Sequence, residues 1–360
     1  VTSNTKVSKA RKLAAEINAV LGEEALQMAS DPKYVVHYLS TGVLAMDVLL
    51  QGGLPRGRFV EVYGDYSTLK SYIGYRAIAT TQSAGGTCAL VDTEHSFDPE
   101  WASFLGVDVE ELIIRRPQTG EEAVDVSELL IRNGVDLIVW DSVAATLPQD
   151  EQKKRMSKEN IQPARLAQLM SAASRRLTAA NENTAVLFIN QTRLNVGVMF
   201  GDPTSIPGGK ALGFYTSFRI SLRKAGKVIT THKRQVPGDL PGKLKTADVK
   251  QVEGYRIKAT IEKSKLSAPY ADTMLYFDLT TGALDDVGFT ISKCLETGLI
   301  EKKGNTYWVL QKKAAVGSDA LRGWMQKNPE VMDQLRATLL GLDSGSQGPV
   351  KRTVVRLKRK

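Results

Sequence analysis

The sequence predicts an α/β fold built on a mostly parallel sheet, and three observations carry that expectation. Short β-type runs, Phe59 to Tyr63, Cys88 to Val91, Leu137 to Trp140 and Val186 to Ile189, alternate with helical stretches, as parallel strands joined by crossover helices do. Several runs end in polar residues, at Asp92-Thr93-Glu94, Asp141-Ser142 and Asn190-Gln191, and such sheets hold ligands at the carboxyl ends of their strands. A chain of 360 residues with 42% apolar content can bury one large core and carry smaller attachments.

Composition narrows the function classes. A formal charge of +9 favours a polyanionic partner, although charge alone would serve nucleic acid, an anionic membrane surface or mere solubility. Cys88 and Cys294 stand far apart with no Cys/His cluster, which argues against a disulfide scaffold or structural zinc. His37, His95 and His232 are dispersed and suit solvated or packing roles. No apolar run approaches the roughly 18 residues of a membrane span. The polar N-terminus lacks a signal-peptide apolar region, so the expected compartment is reducing cytoplasm, with no membrane partner.

Four segments follow in order. In residues 1–33, Leu13, Ile17, Val20 and Leu21 recur at helical spacing between Ser3 and about Ala29, and Ser30-Asp31-Pro32 ends the run. This is an amphipathic helix whose stripe lies on its own domain or on a neighbouring subunit. Residues 34–270 form the α/β core. Residues 271–342 form a compact, mostly helical α+β unit anchored by Trp308 and Trp324, and residues 343–360 pass from a Gly/Ser linker into a basic tail. Within the core, Thr192 to Gly209 carries several glycines and two prolines, so it is expected to pack as helix or strand only with outside contacts.

The chemistry starts at Phe59 to Tyr63, which runs into Gly64, Asp65, Tyr66, Ser67, Thr68, Leu69, Lys70 and Ser71, followed by a helical pattern. A strand, a tight loop and a helix opening on Lys-Ser form a phosphate cradle: Lys70 neutralises phosphates and Ser71 ligates Mg²⁺. The spacing is that of a Walker A loop, but Leu69 stands where the second glycine belongs, so its side chain must point away from the phosphates. Glu94 sits where a general base for water would, Asp141 where a Walker B carboxylate supports the metal, and Gln191 supplies a third polar strand end. Strand-end carboxylates also serve as helix caps.

These residues, with STGVLAMDVLLQGGLPRGRFVEVYG from Ser40, DTEHSFDPEW, VDLIVWDSVAA, FINQTRLNVGVMFGDP and IEKSKLSAP, resemble the RecA family of homologous recombinases over nearly the whole chain. Leu69 and the divergent ends look more like a phage-encoded member, placed in bacterial host cytoplasm, than a housekeeping one. The resemblance implies a RecA-type P-loop NTPase core with an N-terminal oligomerisation helix and a small α+β C-terminal domain. It implies that Lys70 and Ser71 hold ATP and Mg²⁺, Glu94 activates water, Asp141 supports the metal, and Gln191 couples the γ-phosphate to DNA. Asp98 and Trp101 would flank adenine. Lys263 and Lys265 would reach a neighbour's γ-phosphate, with Phe214 at the same boundary.

DNA contacts implied by the resemblance fall in two loops and the helix between them. Lys153, Lys154, Arg155 and Lys158 lie in the first loop, Arg175 and its neighbour Arg176 on the helix, and Arg193, Val196, Gly208, Gly209 and Lys210 in the second. Gln168, Asn195 and Pro163 depart from the family pattern. The basic tail reverses the acidic ending typical of bacterial members and is expected to reach duplex phosphates. The function implied is an ATP-dependent, DNA-stimulated recombinase that forms a helical filament with itself on single-stranded DNA and pairs that strand with homologous double-stranded DNA. Mediator and single-strand-binding proteins are its expected loading partners. A RecA-fold DNA motor and a DNA-coating protein without hydrolysis are the rival readings.

Overall fold

The computed structural model describes residues 8–22, 25–152, 163–194, 204–237 and 244–341. The expectations for Lys153, Lys154, Arg155, Lys158, Asn195, Val196 and the tail from 343 to 360 lie outside the described residues. Two units are distinguished, Val1–His37 and Tyr38–Lys360. In the first, helix α1 (Ser8–Leu21) ends before the limit near Ala29 that the apolar periodicity predicts. Gly22 at φ 105° ends it, and the Asn18 side chain holds both the N–H and the carbonyl of Leu26, at 2.7 and 2.8 Å. Leu13, Val20 and Leu21 of the expected stripe are exposed.

The second unit is organised by a nine-stranded sheet. Its strands in chain order are β1 (Phe59–Gly64), β2 (Cys88–Asp92), β3 (Leu112–Arg115), β4 (Leu137–Asp141), β5 (Ala185–Gln191), β6 (Phe218–Pro237), β7 (Leu244–Ser264), β8 (Asp272–Asp278) and β9 (Ala283–Leu284). The spatial order is β9-β8-β7-β6-β1-β5-β4-β2-β3. From β6 to β3 every neighbour is parallel, whereas β6 to β9 form an antiparallel extension. Besides the single turn Gln149–Gln152, the α-helices are α2 (Leu44–Leu49), α3 (Lys70–Ser83), α4 (Pro99–Phe104), α5 (Gly120–Arg132), α6 (Pro163–Ala180), α7 (Gly209–Tyr215), α8 (Asp286–Thr297), α9 (Ser318–Lys327) and α10 (Pro329–Leu339) among the described residues.

Strands β1, β2 and β4 are buried at every position, as expected of parallel strands covered on both faces. Alternation sorts their side chains into two layers. Val60, Val62, Leu90, Val139 and Ile189 pack with Ile73 and Ile78 of α3 and Met46 of α2. Phe59, Val91, Ile138, Trp140 and Phe188 pack on the other face with Val124 and Ile131 of α5 and Met170 and Leu177 of α6. Burial of this kind is worth about 25 cal/mol per Å² of apolar area, and it clamps the strand ends that carry the polar residues.

Pairing of β6 with β7 runs Phe218↔Ser264, Arg219↔Lys263 and then Ile220↔Ile261, so Glu262 is an extra residue in a β-bulge. A second slip, between Val228↔Gly254 and Ile229↔Val252, leaves Glu253 as the extra residue. Beyond the sheet lies a small body with a three-stranded antiparallel sheet, β10 (Ile300–Lys303), β11 (Thr306–Val309) and β12 (Lys312–Val316), packed with α8 to α10. Its core holds Tyr307, Leu321, Met325 and Leu335, with Trp324 half-buried against them. Trp308 is not one of its buried anchors, because strand alternation puts Tyr307 and Val309 inside and leaves Trp308 beneath the Lys303 ammonium. Among the described residues no helix is long and apolar enough to cross a membrane.

Candidate nucleotide and DNA site

The loop between β1 and α3 is fixed by its own backbone. Gly64 is required by the neighbouring strand, since a Cβ there would lie 2.2 Å from the Leu222 carbonyl oxygen. The Thr68 hydroxyl donates to the Asp65 carbonyl at 2.8 Å and closes the turn. Leu69, immediately before α3, adopts φ 69° and ψ 19°, a left-handed conformation that costs a residue with a Cβ about 1–2 kcal/mol. Its half-buried side chain packs against the core beside α3. The glycine backbone is therefore kept without the glycine.

Lys70 and Ser71 open α3. Lys70 Nζ donates to the carbonyls of Gly64 and Asp65, at 3.1 and 2.6 Å, and burial holds its pKa below the usual lysine range despite the attraction of Asp141 and Glu94. Ser71 Oγ donates to Asp141 Oδ2 at 2.6 Å. Asp141, buried at the end of β4, has its pKa pushed up to about 6, chiefly by loss of water and against the Ser71 hydrogen bond. Glu94, two residues past β2, accepts at one carboxylate oxygen from Ser142 Oγ and from Gln191 Nε2, each at 2.5 Å. Three strand ends thus meet beside the phosphate loop, and Lys70, Ser71, Glu94, Asp141 and Gln191 line one cavity of about 970 Å³.

The family model for the RecA N-terminal domain matches residues 9–282. The chain belongs to the RecA family. It is 37% identical over 319 residues to Protein RecA of Thermus aquaticus, and 38% identical over the same length to Protein RecA of Thermus thermophilus; 88% of each chain is covered in both comparisons. Protein RecA of Saccharopolyspora erythraea is 37% identical over 334 residues, with 91% of this chain and 90% of that protein covered.

In this RecA-family chain the residues named for the base and the neighbour contact separate clearly. Trp101 lines the cavity and stacks on Phe104 at 5.2 Å, whereas the Asp98 carboxylate caps α4 by accepting from the N–H groups of Glu100 and Trp101. Lys263 and Lys265 are not among the residues lining the cavity of their own chain. Lys263 Nζ donates to the carbonyls of Gly213, Phe214 and Thr216 at 2.5, 2.9 and 3.0 Å, and Lys265 to Tyr215 at 3.3 Å. Cations at the end of α7 satisfy carbonyls left without helical partners. Burial is the first cause holding both lysines below their usual pKa range. Phe214, on the same turn, is 68% exposed.

Of the DNA candidates, Arg175 and Lys210 are exposed. Arg176 is ion-paired with Asp125 at 2.6 Å and with Glu128. Arg193 donates to the Ala144 carbonyl at 3.1 Å and belongs to a two-residue ladder, Arg193–Leu194 with Thr204–Ser205. The segment after Gln191 therefore forms some strand, where its composition predicts only structure made with outside contacts, because two short pieces of it pair with each other. Gly208 and Gly209 have φ 88° and 72° and lie against Val143, Met170 and Ala167.

Two features of the site were not anticipated from the sequence. Lys224, Lys227, Tyr255 and Phe277 also border the cavity, and Lys224 Nζ sits 3.8 Å from the Tyr66 ring centroid. Their strands are distant in sequence from the phosphate loop, and no local motif marks them. Glu61, 1% exposed in mid-β1, accepts from Asn190 Nδ2 at 2.9 Å and from Arg219 Nε at 2.7 Å. Asn190 also donates to the Pro207 carbonyl at 3.0 Å. A charged residue inside an otherwise apolar strand run was the available signal for this network.

Proposed function

We infer that this chain is an ATP-dependent DNA recombinase that assembles as a helical filament on single-stranded DNA and catalyses homologous pairing and strand exchange. The observation that carries the reading is the Glu94–Gln191 hydrogen bond. It joins a carboxylate at the phosphate loop to the strand that leads directly into the second DNA segment. Lys70 would bind the phosphates, Glu94 would accept the proton of the attacking water, and Gln191 would transmit the state of the phosphate to Arg193 and the segment beyond it.

Mg²⁺ fits the residues present. Buried Asp141 faces the Ser71 hydroxyl, and among the described residues no cluster of three or more acidic, His or Cys groups forms a protein cage. That suits an ion held by one or two protein groups plus phosphate oxygens. Ser71 would ligate it directly and Asp141 through water, and the ion would neutralise charge on the triphosphate. Trp101 would offer its face to the base. Lys263 and Lys265 would serve the ATP of a neighbouring subunit, consistent with their absence from the lining of their own cavity. Leu69 and the basic tail support a phage-encoded protein acting in host cytoplasm, where mediator and single-strand-binding proteins would load it.

The deciding experiment is ATP turnover with and without single-stranded DNA, followed by strand exchange between a circular single strand and a homologous duplex. Stimulated turnover with exchange is expected. Turnover without exchange would favour a DNA motor, and binding without turnover a coating protein.

A further inference from the structure

Glu61 is a buried carboxylate to which the reaction assigns no task. Its two oxygens take different partners: Oε1 accepts from Asn190 Nδ2 at 2.9 Å and Oε2 from Arg219 Nε at 2.7 Å, and the residue is 1% exposed. Each partner reaches further. Asn190, buried near the end of β5, also donates to the Pro207 carbonyl at 3.0 Å and accepts from the Gln191 N–H at 2.9 Å, so it joins the chain before the second DNA segment to the chain near its end. Arg219 lies 5.0 Å from the Tyr63 ring centroid and beside Gly213 of α7, where a Cβ would come 3.4 Å from its Nη1. It is also the rung partner of Lys263, whose ammonium holds the carbonyls of Gly213, Phe214 and Thr216. We propose that Glu61 is a positioning residue: it holds the two sides of the DNA segment and Lys263 in one unit, so that DNA bound to a chain sets how that chain presents Lys263 to its neighbour's ATP.

The chemistry of this unit favours coupling over packing alone. Taking a carboxylate out of water is costly, and apolar residues of similar volume often serve stability as well, yet the charge stands in mid-strand between Val60 and Val62. It offers what an apolar residue does not, two acceptors at a fixed separation and one negative charge. The acceptors fix Asn190 and Arg219 at once, on the two strands that flank β1. The charge balances cations, since Arg219 and Lys263 share one side of the sheet. Burial, Lys265 and Arg219 hold the Lys263 pKa below the usual lysine range, and Glu61 opposes them. Lys265 of β7, Arg219 of β6 and Glu61 of β1 are the charged groups that face Lys263. A displacement of the Pro207 backbone therefore acts on Asn190, on the carboxylate that Asn190 shares with Arg219, and on the lysine beside Arg219. This path uses the backbone N–H of Gln191 and is distinct from the side-chain bond to Glu94.

The inference rests on the recombinase reading, and the test separates the two. In the full chain, Glu61→Gln keeps the shape but removes the charge, and its NH₂ would oppose one of two donors, Asn190 Nδ2 or Arg219 Nε. Affinity and stoichiometry for ATP and for a single-stranded oligonucleotide are measured, with steady-state turnover on saturating single strand from neutral to alkaline pH. Both affinities are expected within about threefold of the parent at full stoichiometry, while kcat falls about tenfold or more, the scale of a small misplacement of a reacting group. The alkaline limb of turnover should move to lower pH, because Lys263 loses the negative charge that helps to hold its proton. Adding Arg219→Gln to Glu61→Gln removes both charges together and should return the limb toward the parent's. An ion pair that serves packing alone would lower the urea midpoint and the stoichiometry and leave kcat per folded chain and the limb unchanged, and that result overturns the proposal. If Glu61→Gln does not fold, Glu61→Asp decides. It keeps the charge but is one methylene too short to hold both partners, so kcat is expected to fall about threefold or more with the limb unmoved, and a parental kcat overturns the proposal. A parent with no single-strand-stimulated turnover removes the recombinase reading and this role with it, whereas a stimulated parent matched by Glu61→Gln removes this role alone.

Discussion

Leu69 occupies a backbone conformation ordinarily left to glycine, and its half-buried side chain packs against the core while the residue also lines the nucleotide cavity. Two effects oppose each other in Leu69→Gly. Relief of left-handed strain gains about 1–2 kcal/mol, and loss of a half-buried side chain costs a similar amount. The variant is therefore expected to shift stability by less than about 1 kcal/mol and to change ATP affinity by only a few-fold in calorimetry. A tenfold gain in affinity would mean that the leucine obstructs the phosphates. Glu94→Gln tests the base. A glutamine oxygen can still accept from Ser142 and Gln191, so the geometry should survive while turnover falls about 10²-fold or more, with ATP and DNA binding retained. Turnover within a few-fold of the parent would remove Glu94 from that role. Glu94, Asp141 and Gln191 were legible in the sequence because each sits at or just past a strand end, and Lys70 and Ser71 because the loop after β1 delivers them to the start of α3, so local pattern and site coincide. Tyr255, Phe277 and Lys224 were not, because only the tertiary path of β6 to β8 brings them to the cavity.

At the scale of elements, α2 is tied down by a buried carboxylate. Asp47 accepts from Ser40 Oγ at 2.5 Å and from Thr41 N and Oγ1 at 2.7 and 2.6 Å, yet burial outweighs these bonds and pushes its pKa up from 3.8 to about 6. A carboxyl whose folded pKa is raised contributes stability that is fully present below its unfolded value and is lost as pH rises through the folded one. The loss falls between about pH 4 and 6, and at 1.36 kcal/mol per unit it reaches ~3 kcal/mol at most. In Asp47→Asn, the amide oxygen can keep both Thr41 bonds and the NH₂ can donate to Ser40 Oγ. That variant should gain on the parent as pH is raised from 4 to 7.5; urea unfolding at the two pH values checks it, and a difference independent of pH would count against the burial argument. The parallel strands were readable from apolar runs because both their faces are covered. The long β6–β7 hairpin was not, since its outer part mixes apolar, polar and charged residues without a regular period of two.

At the scale of the whole molecule, the proposed role of Lys263 and Lys265 would make each ATP site in a filament a joint property of two chains. Replacing both Lys263 and Lys265 by alanine should abolish DNA-stimulated ATPase, even with the chain's own Glu94 intact. Mixed with Glu94→Gln chains, that inactive variant should regain activity, because one of the two boundary orders pairs an intact base with intact lysines. Turnover measured across mixing ratios should peak between the pure species. Full activity of the double-lysine variant alone would exclude a role across the boundary. How those lysines come to lie against the end of α7 is a matter of odd and even numbers. Ile257, Ala259 and Ile261 are buried, and Lys263 and Lys265 continue the same odd series, so an unbroken strand would bury them in that layer. The one-residue slip at Glu262 reverses the parity, pairing Lys263 with Arg219 on the opposite side of the sheet from Ile220 and Ile261, where α7 ends. The side of the sheet on which both lysines lie is thus set by a single step in counting, and a chain shortened by that one residue alone would keep them on that side, since Lys263 would follow Ile261 in regular register.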